Sequence, residues 1–463
     1  MGAPARRIAV IGGGIAGLAA AHALVTQHAA EVALFESDER LGGKLRTSPF
    51  AGLPGVDEGP DAFLARLPWA TALAREVGLG ERLTSPQAAG AALWWRRLHP
   101  IPSGLLLGMP TGVAALARSG LMTWPGKLRA ALEPLVPRTS LSADSLGAYV
   151  RSRFGDEVHE RLVDPLVGSI YAADTDRFSL AAVPQIADLA ATSRSVLVAG
   201  RRRPATTAAD GPVFYAPRDG MAAFADRVAT HVRDAGGRLH HSVTITGLVP
   251  RGDAWWLEAD THDDAASAAL SDAFDGVVLA LPAPGAARLL RESGLSGTPT
   301  DVLSDIEAAD VAMVSLALDA TTWPDRLRGL SGYLVPKPVQ HLVTAVSFGS
   351  QKWAHWDDGR QVILRISLGR DGLPVLHLDD EHLVAAAVDE TSRHLGLALA
   401  PTAARLTRWQ GAFPQYRPHH AARVATARQS MPRGLALAGA GYDGIGIPAC
   451  VRSAQQAAAT VVG

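Results

Sequence analysis

Between Arg7 and Lys44 the chain contains one complete supersecondary unit. Strand Ile8-Ala9-Val10-Ile11 runs into the turn Gly12-Gly13-Gly14-Ile15-Ala16-Gly17, an alanine-rich helix follows, and a second strand, Glu31 to Phe35, ends at acidic Glu36. Each part answers a separate demand of a dinucleotide. Gly12 permits the tight strand-to-helix turn, Gly14 lets backbone N–H groups approach a pyrophosphate, and Gly17 lets helix and sheet pack closely. The helix N-terminus faces the phosphates with its partial positive charge. Glu36 follows at the roughly 20-residue offset of a carboxylate that accepts hydrogen bonds from ribose hydroxyls, and its charge disfavours a 2′-phosphate. A glycine triplet alone marks little more than a turn; strand, turn, helix and acid together predict a dinucleotide-binding βαβ unit.

The bulk properties exclude several classes. At 463 residues the chain exceeds one ordinary core and predicts two or three domains, with a 48% apolar share to fill them. Lys plus Arg (44) and Asp plus Glu (45) nearly cancel, so no global field recruits nucleic acid and an anionic substrate must be gripped locally. The single cysteine, Cys450, excludes an intrachain disulfide and a cysteine-cluster metal site. The histidines offer no H-E-x-x-H spacing, only adjacent pairs such as His240-His241 and His419-His420, so no metal is expected. The first strand begins close to Met1, leaving no room for a leader, and a cytoplasmic location is expected. The most apolar segment, Gly104 to Leu135, is interrupted by Pro110, Arg118, Pro125, Lys127 and Arg129. It reads as a pair of helices closing over a pocket, with peripheral membrane contact as the other reading and no transmembrane span.

Further along, Trp69 to Thr192 reads as helical, with Ser142-x-x-Ser145 opening one helix and Gly155 or Asp156 the next. Arg201-Arg202-Arg203 begins a linker and is given no function. A helix over Ala222 to Ala235 precedes strands at Leu239 to Val249, Trp255 to Ala259 and Gly276 to Pro282. Strand-rich text from Val311 to Leu368 predicts a separate antiparallel sheet, followed by a helix over Asp380 to Leu395. The chain closes on a strand from Gly434, a glycine loop through Gly446 and a last helix. That loop offers bare backbone donors and a positive helix end, suited to a flavin edge where reduction deposits negative charge.

Arg40-Leu41-Gly42-Gly43-Lys44-x-x-Thr47, a second glycine pair beyond the acid, resembles the FAD-binding amine-oxidase-like superfamily and makes FAD the expected cofactor. Over nearly its whole length the chain is similar to the oxygen-dependent protoporphyrinogen/coproporphyrinogen oxidase family. The resemblance rests on Glu58-Gly59-Pro60-Asp61-Ala62-Phe63-Leu64, on Ser145 to Tyr149 with Phe154 to Val158 and Asp164 to Asp174, on Pro414-Gln415-Tyr416 with His420, and on Gly444 to Val451. Ala173, His419 and Ala449 depart from the family pattern.

The resemblance implies an α/β fold: a Rossmann-like FAD-binding domain of the amine-oxidase-like (glutathione-reductase type 2) superfamily, a mixed-sheet substrate domain and a helical insertion. Segments 1–68, 205–282 and 405–463 would form a discontinuous FAD domain, 69–204 the insertion and 283–404 the substrate domain. Carried over by position, Gly12, Gly13, Gly14, Ile15, Ala16, Gly17, Glu36, Gly43, Lys44, Gly59, Pro60, Asp61, Ala62, Val243, Trp409, Ile445, Gly446 and Ile447 would contact FAD. Arg66 would pair with a substrate carboxylate, with a surface arginine as the plainer reading. Tyr171 would line the pocket or pack under the helices. The implied substrate is a reduced tetrapyrrole, coproporphyrinogen III in preference to protoporphyrinogen IX, with oxygen as acceptor, hydrogen peroxide as by-product and a ferrochelatase as transient partner. Flavin chemistry needs few titrating side chains, so no catalytic acid or base is named. A flavin amine oxidase and a non-catalytic porphyrin carrier are the competing readings.

Overall fold

A computed structural model describes residues 5–87, 90–112, 117, 119–200 and 211–463, so Arg201-Arg202-Arg203 lies outside the described residues. Strand Arg7–Ile11, helix Ile15–Gln27 and strand Glu31–Phe35 form the N-terminal unit. The strands sit inside a five-stranded parallel sheet ordered Arg238–His240, Glu31–Phe35, Arg7–Ile11, Gly276–Leu279, Leu435–Leu437. A parallel sheet is covered on both faces, which is why these strands are apolar at nearly every position. Ile8, Val10, Val32, Leu34 and Val278 enter one core with residues of helices Ile15–Gln27, Ala222–Asp234 and Ile447–Val462. Their alternates Ala9, Ile11, Ala33, Phe35 and Val277 enter a second, beneath hairpin Thr244–Arg251/Ala254–Asp260 and helix Ala283–Glu292.

A seven-stranded mixed sheet follows the order Ala403–Pro414, Ala308–Asp319, Gln361–Leu368, Val343–Phe348, Leu330–Leu334, Gly90–Trp95, Arg97–Pro100. Its pairings are antiparallel except that of Leu330–Leu334 with Gly90–Trp95. Helix Asp380–Leu395 seals one face through Leu383, Ala387 and Leu395. A helical layer, including Leu146–Phe154, Asp164–Tyr171 and Pro184–Thr192, gathers around Val150, Phe154, Leu162 and Phe178. Ser145 caps the first of these helices by accepting the Ala148 N–H at 3.2 Å, and Gly155, at φ 87°, separates it from Asp156–Val158.

Three segments differ from their sequence reading. The strand expected over Leu239 to Val249 is broken by Ser242, at φ 56°: Arg238–His240 ends in the parallel sheet, and Thr244 starts the hairpin. Within the stretch read as helical, Gly90–Trp95 and Arg97–Pro100 are strands joined at Arg96, at φ 62°. A short apolar run carries no period of its own, and its parallel partner, Leu330–Leu334, lies far along the chain. Between Gly104 and Leu135, the short strands Leu105–Leu106 and Met109–Pro110 precede helix Trp124–Ala131 and the 3-10 turn Glu133–Leu135. Trp124, Leu128 and Leu135 are 78%, 64% and 74% exposed, so apolar side chains of both face solvent. No described helix is long and apolar enough to cross a membrane.

Candidate active site

The two glycine loops meet. Helix Ile15–Gln27 packs along helix Ile447–Val462, and a Cβ added at Gly439 would lie 3.7 Å from the Ala16 Cβ. Both helices begin at a glycine in extended conformation, Gly14 and Gly446, without a side-chain cap. Two uncapped helix N-termini, with their positive dipole ends, are thereby brought to one region.

The N-terminal turn has the geometry of a phosphate cradle. Gly12 adopts φ 104°, a conformation that favours glycine, while a Cβ at Gly14 would meet nothing within 4 Å. Glu36 Oε2 accepts the Gly13 N–H at 2.5 Å and Oε1 the Asp38 N–H at 2.9 Å, holding the carboxylate at the mouth of the turn. Across from it, the Val243 N–H donates to the Glu36 carbonyl at 2.8 Å. Val243 can therefore offer an adenine only its carbonyl. Burial lowers the Lys44 pKa, opposed by the neighbouring Cys450, and among the described residues no carboxylate raises it. A cradle open at Gly14, two uncapped helix ends and a lysine without a carboxylate partner fit a dinucleotide pyrophosphate.

Beneath the Gly59-Pro60 turn lies a buried charge cluster that sequence reasoning did not find. Asp61 accepts from Lys352 Nζ at 2.8 Å and Trp353 Nε1 at 3.0 Å, with Arg365 at 3.3 Å. Burial alone would raise its pKa, but Lys352 and Arg365 hold the carboxyl well below the usual range. Asp61 therefore anchors the turn to the seven-stranded sheet. Arg365 also donates to the Gly59 carbonyl. A Cβ at Gly59 would lie 2.3 Å from the Lys44 carbonyl and 3.4 Å from Trp409 Cζ2, so the Lys44 segment, the Gly59 turn and the tryptophan touch. The Trp409 indole donates to the Glu58 carbonyl at 2.9 Å. Glu58, whose pKa burial would raise, is lowered by the Ser48 hydroxyl, Arg46, Arg405 and Thr407. The only signal for these partners lay in strand register.

The C-terminal loop is tied to the helical layer through aromatic rings. Tyr416 donates to the Ala440 carbonyl and stacks on His420 at 4.3 Å and Phe178 at 5.8 Å. Tyr171 joins this ladder against Phe178 at 4.8 Å, and its hydroxyl donates to the Ala182 carbonyl at 3.3 Å. Ile445 and Tyr171 pack against one helical cluster, whereas Ile447 lies in a core of the parallel sheet. Arg66 is exposed just before helix Pro68–Glu76. The two lysines weighed for an amine-oxidase role are ion-paired, Lys352 with Asp61 and Lys337 with Asp174 at 2.7 Å and Asp176 at 3.3 Å.

A family model described as flavin containing amine oxidoreductase matches residues 15–462. The chain belongs to that family. Among its relatives, the coproporphyrinogen III oxidase of Mycobacterium tuberculosis is 34% identical over 99% of this chain and 97% of its own length. The human protoporphyrinogen oxidase is 27% identical over 99% of this chain and 98% of its own. A solved structure from Exiguobacterium sp. 255-15 superposes with a TM-score of 0.85 at 28% identity, covering 100% of this chain and 99% of that one. FAD is the cofactor of this flavin oxidoreductase, and the cradle described above suits it.

Proposed function

We propose that this flavin oxidoreductase converts coproporphyrinogen III to coproporphyrin III in haem biosynthesis, with oxygen as acceptor and hydrogen peroxide as by-product. The observation that carries the proposal is full-length similarity to named coproporphyrinogen III oxidases in a chain whose two terminal glycine loops converge on one cofactor region. FAD, when bound, supplies the ring that takes hydride equivalents and passes electrons to oxygen. The remaining tasks fall to the chain. The backbone from Gly12 to Gly17 and Lys44 would hold the pyrophosphate, Glu36 a ribose, and the Val243 carbonyl the adenine. Gly43, the Gly59–Ala62 turn, Trp409 and Ile445 to Ile447 would hold the ribityl and ring portions. Asp61, Glu58, Lys352 and Arg365 are committed to ion pairs or hydrogen bonds, so they position this turn and move no proton.

In this proposal 1–68, 205–282 and 405–463 serve FAD, 283–404 the substrate, and 69–204 encloses it; strands Gly90–Trp95 and Arg97–Pro100 and most of Ala403–Pro414 nonetheless extend the second sheet. Arg66, exposed near the C-terminal helix, is the arginine we assign to a substrate carboxylate, and Tyr171 is assigned to the pocket wall by its ring. A cytoplasmic location and a ferrochelatase that receives the product complete the proposal. The test is kcat/KM for coproporphyrinogen III against protoporphyrinogen IX with purified enzyme. Clear preference for the coproporphyrinogen is expected; equal or reversed values would reject the assignment.

A further inference from the structure

Helix Ile15–Gln27 packs on helix Ala222–Asp234 as well as on the C-terminal helix, and that contact holds two histidines. His22, 3% exposed, and the half-buried His231 face each other with ring centroids 4.9 Å apart and planes tilted by 37°. They lie 209 residues apart in the chain, so helix packing brings together what no sequence spacing announces. Nε2 of His22 and Nδ1 of His231 are both buried, and neither has a hydrogen-bond partner among the described residues. A buried polar atom without a partner is unfavourable and calls for a ligand. Two such atoms on facing rings call for one ligand between them.

The surroundings select that ligand. Leu18 and Ala19, one turn before His22, and Val228, one turn before His231, are buried in one apolar core. Burial, with His231 opposite, lowers the His22 pKa to about 4, and among the described residues no carboxylate opposes the shift. Its imidazole is therefore neutral at physiological pH, and the free nitrogen offers a lone pair. Among the described residues no group of three His, Cys, Asp or Glu side chains could hold a metal ion, so an ion here has two protein ligands, both uncharged. The cost of burying an ion rises with the square of its charge, so a dication is penalised about four times as heavily as a monovalent ion. Zinc, moreover, asks for four ligands. Copper(I) is a closed-shell monovalent ion that accepts imidazole nitrogen and is complete with two ligands in line.

We propose that His22 and His231 form a two-coordinate site for copper(I), which clips the first helix to helix Ala222–Asp234. His22 stands eight residues beyond Gly14, about 12 Å along the helix. The ion thus sits apart from the pyrophosphate cradle and reaches it only through the helix that carries both. It binds without a change of oxidation state, and the site does not depend on the porphyrinogen reading.

The test is anaerobic titration of the FAD-bound protein with the acetonitrile complex of copper(I), against bicinchoninate as chromogenic competitor. Wild type should take up one more ion than His22→Leu or His231→Ala, with an affinity at least about tenfold above any that the variants keep. Its Tm should rise with the ion while theirs do not, and X-ray absorption at the copper edge should show two nitrogen neighbours. Both variants should retain wild-type flavin stoichiometry; should His22→Leu fail to fold, His231→Ala, at the half-buried position, decides the matter. Equal copper uptake by wild type and FAD-replete His231→Ala would overturn the site. A sulfur neighbour would overturn it as well, by giving the ion to a residue such as the free Cys450.

Discussion

Gly14 and Gly17 lack a side chain for opposite reasons. A Cβ on Gly17 would stand 1.8 Å from the Gly12 carbonyl oxygen, so Gly17→Ala must push the first helix off the sheet. A loss of about 2 kcal/mol or more is expected in chemical denaturation. A Cβ on Gly14 meets only open space, so Gly14→Val should keep the denaturation midpoint of flavin-free wild type yet purify without flavin absorbance. Full flavin stoichiometry in that variant would remove the turn from the cofactor site. His420 carries a pH signature. Burial, then Arg423, lowers its pKa to about 4, opposed by the Gly441 and Tyr442 carbonyls. Its neutral form is the native one, so its contribution is complete above the ordinary value near 6.5 and is lost as pH falls toward 4, by roughly 3 kcal/mol. His22 and His394, also held at about 4 by burial, act in the same window. His420→Gln should make the Tm decline between pH 6.5 and 4 shallower; an unchanged profile would assign the decline elsewhere. The glycines and Glu36 were legible because their demands are local. The partners of Asp61 were not, since Lys352, Trp353 and Arg365 lie 291, 292 and 304 residues away.

Between elements, the helical layer is fastened to the second sheet by one buried ion pair. Arg370 Nη1 and Nη2 meet the Asp164 carboxylate at 2.8 and 2.7 Å, Arg370 also donates to the Ala173 carbonyl, and Thr175 Oγ1 donates to Asp164 at 2.6 Å. Arg370→Met strands a buried carboxylate and should cost about 3–5 kcal/mol by urea denaturation. Adding Asp164→Asn should recover much of it, because the uncompensated charge is then gone. A single-variant cost below about 1 kcal/mol would show that the layer is held without this ion pair. Elements with their own boundary signals, such as the helix capped by Ser145, were legible in the sequence. Gly90–Trp95 was not, because its partner strand rather than its pattern decides its conformation.

At the scale of the molecule, the parallel sheet draws its strands from residues 7, 31, 238, 276 and 435 onward, so the sheet is complete only when both ends of the chain have docked. The paired glycine loops made that convergence readable in advance. The juxtaposition of Leu334, Ala345, Ser367 and Met313 was not readable, because register across four strands brings together side chains that share no sequence pattern. The most direct test of the whole is anaerobic mixing of the FAD-bound protein with coproporphyrinogen III. Rapid bleaching of the oxidised-flavin band, with recovery and porphyrin fluorescence when oxygen is admitted, is the expected result; a flavin that stays oxidised beside this substrate would contradict it.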